Sequence, residues 1–280
     1  MRKLLLIAVM SVVALAACAD SWESGLTLCG TKVTSSNVDD LQALTKGQVT
    51  GGTITYDHEN GILTLDGVTM ERTDGDYSFL VFRKTADRSE YYIKINGHCV
   101  FDNKGITGKS IFIASEGVTL IFAGINNNPA KDGIDIYTGN GILGMEDAII
   151  RCKNLSIEFK EIFWAFGGWS SASRAAELAF ITCNVKAEDE EGIFDDINEF
   201  KLINCAFVTP EDATFNASKY YVESNGAKLE HVPVEIKVKK TDINNVSQEA
   251  QSKNRKVIRE GQMMIERNGE IFNLDGARVE

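Results

Sequence analysis

The chain has 280 residues, with 29 Lys and Arg against 40 Asp and Glu, a net charge of −11, and 44% apolar residues. That apolar share excludes wholesale disorder, and the length allows one large domain or two small ones. Scattered cations in an acidic chain exclude nucleic acid as a partner, because phosphate-backbone affinity rests on clustered Lys and Arg.

At the N-terminus, Arg2 and Lys3 precede an apolar run from Leu4 to Ala17, the pattern of an export signal over residues 1–19. The run is shorter than the roughly 20 residues a membrane span needs. Leu15-Ala16-Ala17-Cys18 resembles a bacterial lipobox. The resemblance implies cleavage before Cys18, lipidation of that cysteine, and a lipid anchor as the membrane contact, on the outer membrane or cell surface. Cleavage after Ala19 is the alternative, and it yields a secreted chain without an anchor.

Between Thr50 and Val238 short apolar-alternating runs recur, among them Ile62-Leu63-Thr64-Leu65, Tyr92-Ile93-Lys94-Ile95 and Val118-Thr119-Leu120-Ile121-Phe122. Such runs, separated by Gly, Asn and Asp, read as strands. Only Val38 to Leu44 and Glu177 to Phe180 suggest helix. Ile181-Thr182-Cys183-Asn184-Val185 and Ile203-Asn204-Cys205-Ala206-Phe207 align position by position, 22 residues apart. Ile149-Ile150-Arg151-Cys152-Lys153 reads as a third copy, its Cys152 lying 31 residues before Cys183. Strand alternation points Ile, Cys and Val or Phe of each copy inward. A repeat of this period predicts an all-β, right-handed parallel β-helix over residues 26–240. A β-sandwich is the alternative.

Leu28-Cys29-Gly30-Thr31-Lys32-Val33-Thr34, Gly52-Thr53-Ile54-Thr55-Tyr56-Asp57 and Ile62-Leu63-Thr64-Leu65-Asp66-Gly67-Val68-Thr69 resemble the opening of secreted β-helical surface proteins of Bacteroidales-type gut anaerobes. Members are often described as carbohydrate-binding or adhesin-like. The resemblance implies a parallel β-helix, a surface habitat, and a glycan or host-surface ligand.

Three segments are candidates for chemistry. Asp132-Gly133-Ile134-Asp135, followed by Glu146-Asp147, is similar to the carboxylate motifs of β-helical polygalacturonases, which makes Asp132, Asp135 and Asp147 candidate acids. The Gly-His-Gly and Arg-x-Lys elements of that family are missing, and Asp-Gly is also an ordinary turn dipeptide. Phe163-Trp164-Ala165-Phe166-Gly167-Gly168-Trp169 breaks the repeat with aromatics, so Trp164, Phe166 and Trp169 are candidate sugar-stacking residues. Glu188, Asp189, Glu190 and Glu191, with Asp195 and Asp196, form the densest acidic run, a candidate Ca²⁺ site if a turn gathers their oxygens. No spacing places Arg151 or Arg174 beside these acids. Beyond Cys18, the five cysteines carry no metal spacing and are expected as buried thiols.

Residues 241–256 are polar without periodicity and read as a linker. Residues 257–280 alternate around Asn268-Gly269, a hairpin signal. Ile271 to Val279 also resembles the last strands of C-terminal sorting domains. The expectation is therefore an exported binding protein without catalysis. A polysaccharide-active hydrolase or lyase and a purely structural surface protein are the other readings.

Overall fold

The computed structural model describes residues 22–72, 77–106 and 109–239, apart from the side chains of 189–191, and the backbone of 254–259, 262–267, 270–272 and 278–279. The export segment, with Cys18, lies outside the described residues. Two compact units divide the chain, Met1–Val238 and Lys239–Glu280.

The first unit is all-β. Its strands are β1 (Glu23–Leu28), β2 (Thr31–Thr34), β3 (Val49–Asp57), β4 (Ile62–Glu71), β5 (Leu80–Phe82), β6 (Glu90–Asn96), β7 (His98–Asp102), β8 (Ser110–Ala114), β9 (Thr119–Gly124) and β10 (Gly133–Gly144). They continue as β11 (Ile149–Lys153), β12 (Ser156–Gly168), β13 (Ala175–Ile181), β14 (Asn184–Asp195), β15 (Ile197–Ile203), β16 (Cys205–Thr209), β17 (Thr214–Asn216), β18 (Tyr221–Ser224), β19 (Ala227–Lys228) and β20 (Val234–Val238). Among the described residues, helix is confined to a 3₁₀ turn, Val38–Asp40, and one turn of α-helix, Leu41–Leu44, whose Ala43 N–H the Asp40 side chain caps at 3.1 Å. Glu177 to Phe180, a helix candidate from sequence, belongs to β13. Ladder bonds to β11 and β15 on either side decide that.

Seventeen strands join in one mostly parallel sheet. Its register resolves into three ladders. The first runs from β5 through β8 to the C-terminal parts of β10, β12 and β14. The second runs through β6, β9, β11, β13 and β15, and the third through β7 and the N-terminal parts of β10, β12 and β14. β20 then inserts antiparallel between β14 and β16. This dominant parallel pairing is not that of an antiparallel β-sandwich.

Left-handed residues turn the chain from one ladder to the next. Asn154 and Thr182, at φ 54° and 55°, stand between the second and third ladders, and Asn204, at φ 57°, between β15 and β16; Thr138, Gly139 and Glu161 stand between the third and first ladders. Asn tolerates this region because its short amide bonds locally, whereas β-branched Thr182 is strained there. These corners correct two readings. Ile181 and Ile203 precede a corner, so they face out of the second ladder, and Ile203 is 44% exposed. Ile149 pairs with Glu177 and Cys152 with Phe180, so the Ile149 segment is in register with β13, not with the Cys183 segment.

Inward side chains form one continuous core. Phe79, Phe101, Phe112 and Phe122 follow one another at centroid distances of 5.4, 5.1 and 5.0 Å. Phe166, Phe180, Phe194 and Phe200 continue these edge-to-face and tilted ring contacts in the later strands. Each such pair adds about 0.5–1.5 kcal/mol beyond area burial. Cys29, Cys99, Cys152, Cys183 and Cys205 are buried, and no disulfide joins them to one another. Burial pushes the Cys183 thiol up to about 12.

In the second unit, β21 (Asn254–Arg259), β22 (Gln262–Arg267), β23 (Glu270–Phe272) and β24 (Arg278–Val279) form an antiparallel sheet. Asn254 to Lys256, read from sequence as linker, are thus strand. Arg267 pairs with Glu270 across the Asn268-Gly269 connection.

Candidate functional site

The C-terminal part of β12 builds the site. Phe166 points inward, 1% exposed, its ring 4.7 Å from that of Phe159 and 4.9 Å from that of Phe180. It is a core residue that reaches the floor of the groove, which corrects its expected role as an open sugar platform. Alternation puts the next position, Gly167, on the outer side, between Leu143 of β10 and Asp195 of β14 in the same row. With no side chain at Gly167 or Gly168, the row is left hollow. The chain then leaves the ladder at Trp169, turns through Ser170 to Ser173, where the Ser173 N–H donates to Ser170 O at 2.8 Å, and returns as β13.

Leu143, Trp164, Gly167, Gly168, Trp169, Asp195 and Asp196 line the resulting groove of about 380 Å³. Trp169 is 44% exposed. The structure thereby brings together the two tryptophans and the last two acids singled out from sequence. It also supplies partners that sequence reasoning missed. Arg174 Nε lies 3.8 Å from Asp196 Oδ1, too far for a hydrogen bond, while its guanidinium sits 3.8 Å over the Tyr220 ring. Lys228 is shared between Asp195 and Glu230. Burial, and then the neighbouring Asp195, hold the Asp196 carboxyl above its ordinary range, against Arg174 and Lys228. Burial works to lower Lys228, yet its bonds to Asp195 and Glu230 keep it above the usual lysine value. Arg174 was in reach of sequence reasoning, five residues after Trp169. Lys228 comes from a separate small sheet, and no local signal points to it.

A second groove, of about 350 Å³, lies on the outer side of the third ladder. Here Asp135 pairs with His98 at 3.5 Å and stands beside Glu158 in register. Lys186, Glu235 and Lys237 complete its charged lining. Burial raises the Asp135 carboxyl and Glu158 adds to this, while His98 and Lys160 oppose it.

The other candidates separate. Asp132 is fully buried, and its carboxylate accepts from the Gly97 N–H at 3.1 Å, the Asn126 N–H at 2.6 Å and the Asn126 amide at 2.7 Å. It staples the loop before β10 and offers no acid to a substrate. Asp147 is exposed in the turn before β11, at φ 58°. Glu188 is exposed and, with Asp189 to Glu191, lies within β14 instead of on a turn. Among the described residues, no three His, Cys, Asp or Glu side chains are placed to hold a metal ion. Gly139, Gly141 and Gly144 spell Gly-x-Gly-x-x-Gly, but inside β10 with no helix after it, so the string is not a dinucleotide fingerprint. No helix among the described residues is long and apolar enough to cross a membrane. No protein-family model, curated protein or solved structure matches the chain.

Proposed function

We propose that the three ladders are the faces of a right-handed parallel β-helix, and that the protein is an exported surface or secreted binding protein holding a glycan in the Trp164–Trp169 groove without altering it. The export-type N-terminus and lipobox-like Cys18 support the location. The convergence of two indoles, a hollow apolar floor and the Asp195–Asp196 pair in one groove carries the ligand. Indole faces suit the C–H faces of a sugar ring, and carboxylates accept its hydroxyl hydrogens. A polar rim over an apolar floor is the usual chemistry of a small-ligand cleft.

The test is a glycan array probed with the secreted chain and with Trp169→Ala. Retention of a glycan that weakens about tenfold in the variant, with the glycan recovered intact by mass spectrometry, is the expected result. A shortened glycan would instead make the protein an enzyme. Undiminished binding by Trp169→Ala would remove the groove from the account.

A further inference from the structure

We propose that this groove selects a ligand carrying a primary ammonium beside an apolar ring face, the chemistry of a sugar with an unsubstituted amine. The inference rests on the binding reading above and narrows its ligand class.

The charge around the groove is unbalanced. Among the described residues, the cations paired with Asp195, Asp196 and Glu230 are Lys228 and Arg174. Both cations are committed. Lys228 divides itself between Asp195 and Glu230, and Arg174 stacks on Tyr220, held 3.8 Å from Asp196. Among the described residues that is the one ion pair the Asp196 carboxylate makes, with Lys228 acting on it from farther away. Asp195 is partly spent locally as well, since its Oδ1 accepts the Asp196 N–H at 2.8 Å.

Trp164 and Trp169 line the same groove. An ammonium group between an indole and an under-neutralised carboxylate gains a cation–π contact and a charge-assisted hydrogen bond together. A neutral acetamide at that position keeps at most one N–H bond to the carboxylate and has no cation–π contact or net charge to offer, and an acidic sugar meets two carboxylates. Burial first and Asp195 second raise the Asp196 carboxyl, and an ammonium placed beside it would act against both.

Calorimetric titration of the secreted chain compares two probes of equal length, an unsubstituted glucosamine tetrasaccharide and its fully N-acetylated counterpart. The unsubstituted probe is expected to bind about tenfold tighter. Asp196→Asn, nearly isosteric, is expected to bring the ratio of the two affinities to about one, whatever it does to the affinity of either probe alone. Equal affinities in the wild-type chain overturn the amine assignment and leave glycan binding standing. Preference that survives in both Asp196→Asn and Trp169→Ala places the amine elsewhere on this acidic surface and overturns it too. If the unsubstituted probe does not bind, the assignment fails, and the array alone then judges the broader reading.

Discussion

Glu177 shows how one side chain ties neighbouring strands. Its side chain is 9% exposed and accepts from Arg151 Nε at 2.5 Å and from Lys201, residues that precede and follow it in the second ladder. Burial works to raise its carboxyl, but the two cations outweigh burial and hold it below the ordinary glutamate value. A carboxyl lowered in the folded state contributes stability that is present above its unfolded pKa and lost as pH falls through its folded value. Glu177→Gln should therefore cost about 1–2 kcal/mol at neutral pH, a modest figure because Arg151 and Lys201 are 35% and 38% exposed. Urea midpoints of the two proteins should converge in acid; a gap that persists there would refute the ion-pair account. At this scale the sequence was partly readable. Trp164, Trp169, Asp195 and Asp196 stood out as unusual residues in a repetitive chain. Whether an acid serves a ligand or a loop did not, because that depends on what surrounds it after folding: backbone N–H groups and the Asn126 amide around buried Asp132, Lys228 and the Asp196 N–H around Asp195.

At the scale of strands, alternation predicts faces well until a left-handed residue intervenes. Cys183, Val185 and Cys205 are buried as the pattern requires, while Ile181 and Ile203 face outward because Thr182 and Asn204 turn the chain between them. Spacing between neighbouring strands imposes its own demands. A Cβ built at Gly167 meets the Asp195 carbonyl oxygen at 2.5 Å, and backbone cannot yield as a flexible side chain does. Gly167→Ala should thus destabilise the fold by about 1–3 kcal/mol, read as a lower urea midpoint at unchanged slope. An unaffected midpoint would mean that β12 and β14 do not approach so closely. The same close approach keeps the groove floor bare, so a packing requirement between strands also shapes the site.

Over the whole molecule, each strand of a ladder rests mainly on its two neighbours. β13 pairs with β11 and β15, whereas β15 has β13 as its one paired neighbour among the described strands. Ladders of this kind store stability in nearest-neighbour contacts. Amide hydrogen exchange should be slowest in β11, β12 and β13 and faster in β15, measured by mass spectrometry after native labelling. Uniform protection would indicate a single all-or-none unit.

The sequence by itself determined the all-β character, the dearth of helix and the unusual residues, since strand alternation and the low frequency of helical periodicity are local properties. Tertiary structure alone decided the register that places Ile149 beside Glu177, the burial of Asp132 and the meeting of Lys228 with Asp195. Register follows from which apolar rows stack at close range. That choice is made between segments distant in the chain, and no single segment encodes it.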